Sequence, residues 1–274
     1  MASMKSRVLF VTDFAYEARG RRYCDEDIAL TARLREDFTV ATCHPAEARA
    51  LMDGFDAVVV RNSGPVMDYP REYSEFRAHA LATGARVFTE MTGKADMVGK
   101  QYLLDLSAAG FPVIPTVGSP EQVGLLPEVP EYIVKSMQGA DSAGLEIVPQ
   151  ERLSAVPDQG FLIQPRIDFL YEVSFYFVDR TFQYALYAPD PGRRWELERY
   201  SPDAADLAFA QRFVDWNAVE HGIQRVDACR APEGGLLLVE LEDLNPYLSL
   251  DRLDAATADA FIAAMKTSLR ELLG

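Results

Sequence analysis

Three carboxylates set at the repeat of a β-strand carry most of the chemistry this sequence offers. Asp227 closes Ile223-Gln224-Arg225-Val226-Asp227. Glu240 and Glu242 alternate through Leu238-Val239-Glu240-Leu241-Glu242-Asp243-Leu244-Asn245-Pro246. Between the two runs lies Ala231-Pro232-Glu233-Gly234-Gly235, a turn signal, so the pair reads as a β-hairpin. With Glu233-Gly234 at the tip, Asp227 faces Glu240 and Arg225 faces Glu242. Side chains alternate along a strand, so Glu240 and Glu242 share one face. Leu237, Val239 and Leu241 are expected on the other. Like charges placed opposite each other repel, so the patch calls for cations. Oxygen donors of this kind suit Mg²⁺, usually together with substrate phosphates. A solvated acidic face is the alternative reading of the same residues.

Other segments supply complementary groups. Lys135 ends an apolar run and precedes a loop containing Gly139, Ser142 and Gly144. Backbone N–H groups in such a loop can cradle phosphate oxygens beside a lysine point charge. The spacing is not that of a Walker loop, and a surface turn is the plainer alternative. Lys100 follows a glycine in Val98-Gly99-Lys100-Gln101-Tyr102. In Gln164-Pro165-Arg166-Ile167 the proline is expected to end strand pairing, freeing main-chain groups to read an adenine edge. Glu172 is placed to accept from ribose hydroxyls. Arg61, Arg193 and Arg194, with Asn245, are candidates for holding a substrate carboxylate. There is no H-E-x-x-H and no G-x-S-x-G, and the three histidines are scattered. Zinc chemistry and serine hydrolysis therefore find no support.

The elements that must position these residues follow from periodicity. Residues 7–12, 38–43, 55–61 and 85–88 read as strands, alternating with helices over 25–37, 45–52 and 69–83. That alternation implies a parallel sheet with covered faces. A helix is expected over 98–109. Strands follow at 132–135, 145–148, 161–167, 172–178 and 181–187, joined by short turns as antiparallel strands are. A helix over 203–220 is expected to stop at Gly222, and 255–273 is a final amphipathic helix. The coil-like stretch 188–201 is a candidate wall for a site. The chain's 274 residues and net charge of −15 suit a soluble protein and argue against a nucleic-acid partner. No run is long enough to span a membrane, and no signal peptide is read at the start. The three widely spaced cysteines suggest a reducing cytoplasm. A homodimer is the default expectation for an assembly.

The order of these segments resembles the ATP-grasp superfamily over roughly residues 55–250. It runs from the lysine of Lys100-Gln101-Tyr102-Leu103-Leu104 to Ile133-Val134-Lys135 with its glycine-rich loop. Ile163-Gln164-Pro165, Glu172-Val173-Ser174 and the acidic hairpin complete it. Within the superfamily the chain is most similar to the stand-alone ligases related to D-cycloserine synthetase. The resemblance implies an α/β and α+β fold. An N-terminal parallel α/β domain (1–92) would precede two antiparallel α+β lobes (93–168 and 169–274) that enclose ATP. It also implies roles. Lys100 and Lys135 would bind the α- and β-phosphates, under a cover containing Gly139, Ser142 and Gly144. Gln164, Pro165, Arg166 and Ile167 would hold adenine, and Glu172 the ribose. Asp227, Glu240 and Glu242 would hold two Mg²⁺ ions, with Arg225 and Lys135 acting in catalysis. Glu242 stands where many members carry Asn. Asn245-Pro246 offers another match with Asp243 in the glutamate role, but the hairpin register selects Glu240 and Glu242. The strand Gln183-Tyr184-Ala185-Leu186-Tyr187 lacks the basic residue of many members, and Arg193, Arg194 and Arg199 are the nearest cations. The implied activity is ATP- and Mg²⁺-dependent ligation. A small amino-acid-like carboxylate becomes an acyl phosphate and then forms a C–N bond with an amine, releasing ADP and phosphate, in natural-product metabolism. An intramolecular cyclo-ligase, a kinase that stops at phosphorylation, and a degenerate nucleotide-binding sensor or scaffold are the alternatives.

Overall fold

The computed structural model describes residues 4–18, 21–61, 68–138, 145–193 and 195–274. The chain opens with β1 (Arg7–Val11), the two-residue strands β2 (Glu17–Ala18) and β3 (Arg21–Arg22), α1 (Tyr23–Leu34) and β4 (Thr39–Cys43). Then come α2 (Pro45–Leu51), β5 (Ala57–Val60), α3 (Pro70–Thr83) and β6 (Val87–Phe88). Strands β4, β1, β5 and β6 form a parallel sheet in that order. Val8, Leu9, Phe10 and Val11, like all of β5, are buried, as central parallel strands covered on both faces must be. Gly84 ends α3 with a φ of 66°, a conformation glycine adopts without strain.

The middle of the chain supplies α4 (Gln101–Ala108) and the strands β7 (Glu131–Ser136), β8 (Glu146–Pro149) and β9 (Phe161–Pro165). These strands form an antiparallel sheet ordered β8-β7-β9. The last part holds β10 (Glu172–Val178), β11 (Thr181–Ala188), β12 (Glu198–Tyr200) and α5 (Ala204–Asn217). It ends with β13 (Ile223–Arg230), β14 (Leu236–Glu242) and α6 (Ala255–Leu273). Its antiparallel sheet runs β12-β11-β10-β13-β14. Helix α4 packs Tyr102, Leu103 and Leu106 on this larger sheet, among Phe175, Val226 and Leu238. Val8 and Phe10 of the parallel sheet join Tyr176, Leu186 and Phe261 in a second core. The β13–β14 hairpin is thus braced by elements from both earlier parts of the chain. No helix among the described residues is long and apolar enough to cross a membrane, and all three cysteines are free and buried.

Four local expectations are corrected. Helix α5 stops at Ala218, in a left-handed conformation (φ 59°), not at Gly222. Gly222 serves instead as a close approach, because a β-carbon there would overlap the Thr89 side chain. The stretch 188–201 contains β12, which pairs with β11, and none of its described residues lines the cavity below. Pairing continues through Pro165, which sits opposite Tyr132, and Arg166 N–H then donates to the Glu131 carbonyl (3.0 Å). The fourth correction concerns the hairpin itself.

Candidate active site

The hairpin has the register expected for its charged residues: Arg225 opposite Glu242, Val226 opposite Leu241, Asp227 opposite Glu240. Nearer the turn the register shifts, with Ala228 opposite Leu238. Val239 is the extra residue of a β-bulge, which keeps two residues against one and changes the alternation. The core face of β14 is therefore Leu236, Leu238 and Leu241, not Leu237, Val239 and Leu241. Leu238 is held on its far side by the segment after α4: its N–H donates to the Pro112 carbonyl (2.9 Å), and its carbonyl accepts from Ile114 N–H (3.2 Å). The bulge leaves Glu240 and Glu242 on the face of Asp227. One oxygen from each of the three lies within 4.8 Å of the others.

Cations answer these acids. The Arg225 guanidinium donates to both Asp227 oxygens (2.8–3.1 Å) and to Glu242 (2.6 Å). Lys100, 7% exposed just before α4, forms an ion pair with Glu240. Burial works against charge on Glu240. Lys100 and then Lys135 outweigh it and hold the carboxyl below its usual range. On Lys100 burial also opposes charge, and Glu240 outweighs it, holding the ammonium above its usual value. Lys135 and Glu172 both act electrostatically on Cys229, whose thiol burial pushes up to about 11, and Glu172 sits opposite Cys229 in the sheet. Lys100, Lys135, Glu172 and the acidic triad are thus brought into one neighbourhood. Three clustered carboxylates with hard oxygen donors fit Mg²⁺, and two side-chain cations already occupy the field that a bound ion would share.

The strand that carries Glu242 continues into a strap whose polar groups are pinned nearly residue by residue. The buried Asp243 carboxylate accepts from the N–H groups of Ala95 (3.1 Å) and Met97 (2.9 Å) and from Asn217 (3.0 Å). Asp96 accepts in return from Asp243 and Leu244 N–H groups (2.6 and 3.0 Å). Burial, then the charges of Asp243 and Glu242, push the Asp96 carboxyl well above its usual range. Arg225 donates to the Tyr247 carbonyl (3.0 Å), and Glu26 accepts from Leu248 and Leu250 N–H groups (2.8 and 2.9 Å). Arg61 is spent on this strap: it is 4% exposed, pairs with Glu26 and Asp27, and donates to the Pro246 carbonyl.

A cavity of about 290 Å³ opens beside the triad. Arg225, Glu240 and Glu242 line it, with Lys100 and the segment from Asp96. Asn245 and Tyr247 come from the strap, and Tyr73, Ser74 and Arg77 from α3. Among the remaining expected site residues, Gln164 is buried and donates from Nε2 to Thr116 Oγ1 (2.8 Å), and Arg166 pairs on the surface with Glu131. Arg193 pairs with Asp190 and Glu196 in an exposed turn. Gly139, Ser142, Gly144 and Arg194 lie outside the described residues. Asp96, Tyr247, Glu26 and Arg77 were not legible as site residues, since each reads in sequence as one more polar residue in a helix or loop.

No protein-family model matches the sequence, and no curated protein matches it. Solved structures do match it. The D-cycloserine synthetase DcsG superposes with a TM-score of 0.76 at 21% identity, over 98% of this chain and 100% of that one. The ATP-grasp ligase PsnB, complexed with a precursor peptide and AMPPNP, gives 0.66 at 15% identity, over 97% and 99%. D-alanine–D-alanine ligase from Bacillus anthracis, complexed with ATP, gives 0.66 at 13%, over 97% and 98%. At these identities the likeness is one of fold.

Proposed function

We propose that this chain, which has the ATP-grasp fold, is an ATP- and Mg²⁺-dependent ligase that activates a small amino-acid-like carboxylate and joins it to an amine. The observation that carries the reading is the convergence of Asp227, Glu240 and Glu242 on one face, with Lys100 paired to Glu240 and Lys135 acting on it. A carboxylate is a poor electrophile, and phosphorylation gives it a good leaving group. Phosphoryl transfer is achieved mainly by positioning and charge neutralisation. Asp227, Glu240 and Glu242 would hold Mg²⁺, which when bound neutralises charge on the phosphate oxygens. Lys100 and Lys135 supply fixed positive charge to the nucleotide's phosphates. Arg225, on the same face, would donate to the oxygen of the reacting acyl group.

The cavity of about 290 Å³ is close in size to a small-molecule site. The likeness to a D-cycloserine synthetase over 98% of this chain and 100% of that one favours a second form of the same reading, in which carboxylate and amine belong to one molecule. A role in natural-product metabolism is part of the proposal. The test is ADP release from Mg²⁺ and ATP across a panel of amino acids of both hands, with product mass analysis. A product carrying a new C–N bond supports ligation, and a stable phosphorylated product identifies a kinase. Nucleotide binding without ADP release on any substrate would overturn the reading in favour of a sensor.

A further inference from the structure

Three cationic residues line the cavity among those described: Lys100, Arg225 and Arg77. The first two are neutralised by the acidic triad. Arg77 differs. It stands on α3, on the wall supplied by the N-terminal part of the chain, and forms no ion pair among the described residues. Its Nη2 donates to the Met91 carbonyl (3.2 Å), while its Nε is a buried side-chain donor without a hydrogen-bond partner. Its neighbours on that wall are Ser74 and Tyr73, and Tyr73 is anchored by donating to the Met97 carbonyl (3.2 Å).

We propose that Arg77 anchors a second carboxylate of the bound substrates, distinct from the carboxyl that is phosphorylated. The inference rests on the ligase reading and deepens it. The reacting carboxyl must lie against the wall of β13 and β14, where the triad and Arg225 stand. An anion seated on α3 is therefore carried elsewhere on the substrates: on a diacid, or on an amino acid serving as the amine. Guanidinium is suited to this, since its planar donors match a carboxylate and it stays charged at every working pH.

Calorimetry on the protein loaded with Mg²⁺ and AMPPNP tests the assignment. The probes are the amino acids of both hands, aspartate and glutamate included, and their carboxamides. We expect at least one acid to bind. In that case Arg77→Met weakens it tenfold to a hundredfold, about 1.4–2.8 kcal/mol. The carboxamide of the same amino acid binds both proteins equally, and Arg77→Lys recovers part of the loss. Nucleotide affinity stays unchanged in both variants. Equal loss for acid and carboxamide, unchanged affinity for the acid, or no acid bound by the wild-type protein overturns the anchor while leaving the ligase reading in place. Failure of the wild-type protein to bind Mg²⁺ and AMPPNP overturns the ligase reading, and the anchor with it.

Discussion

At the scale of single residues, the site is an acid triad whose charge is balanced from three directions. Removing one ligand leaves the others but breaks the set. Asp227→Asn and Glu240→Gln are each expected to lower ADP release by about 100-fold or more, since even partners outside the ligand set are worth 10–100-fold. Glu240→Gln also strips the buried Lys100 of its partner. Its Michaelis constant for ATP should therefore change more than that of Asp227→Asn, which steady-state kinetics will resolve. Glu242→Asn restores the residue that the ATP-grasp resemblance leads one to expect. It should keep turnover and shift Mg²⁺ dependence to higher concentration, because one negative charge is lost; abolished turnover would show that Glu242 has a role Asn cannot fill. The pairing of Asp227 with Glu240 was legible from the turn and the alternation. The bulge at Val239 was not, because nothing in Leu237-Leu238-Val239 marks which residue is unpaired. A symmetric turn at Glu233-Gly234 reproduces the register of the acids, and only the apolar partners reveal the extra residue.

At the scale of elements, the hairpin is useful only because its neighbours hold the strap after β14. Gly93 lies so close to Asp243 that a β-carbon would overlap the carboxylate. Gly93→Ala should displace Asp243 from the Ala95 and Met97 N–H groups and cost about 1–3 kcal/mol, read from denaturant unfolding. Glu26 supplies the other end of the clamp. Burial, partly offset by Arg61, raises its carboxyl from 4.5 to about 7. Between those values the folded protein holds a proton that the unfolded chain has released. Stability contributed by this group therefore falls as pH rises from 4.5 to 7, by on the order of 3 kcal/mol, and is level above. Glu26→Gln should remove that slope in unfolding measured across pH; an unchanged slope would show that Glu26 is ionised in the fold. Helices and strands were legible because their apolar periods are strong, from the parallel sheet to α6. The strap was not, since its order comes from side chains far apart in sequence, such as Arg61 to Pro246 and Asp96 to Leu244. Arg61 was expected to meet a substrate, and its burial beside Glu26 and Asp27 gives it a partner within the chain instead.

At the scale of the whole molecule, the acidic face belongs to a chain whose net charge is −15. Such a chain concentrates divalent cations better than it does free nucleotide, so nucleotide should enter as its Mg²⁺ complex. Mg²⁺ and AMPPNP together, at 100 times their dissociation constant, should stabilise the fold by about 2.7 kcal/mol. That corresponds to a rise in melting temperature of several degrees, and AMPPNP without Mg²⁺ should give much less. The most direct measurement is a crystal structure with AMPPNP and Mn²⁺ in place of Mg²⁺, read by anomalous scattering. Anomalous peaks bonded to Asp227, Glu240 and Glu242, with phosphate oxygens against Lys100 and Lys135, are what a ligase of this fold requires. Nucleotide bound elsewhere, or Mn²⁺ absent from the triad while Arg225 and Lys100 keep their ion pairs, would contradict it.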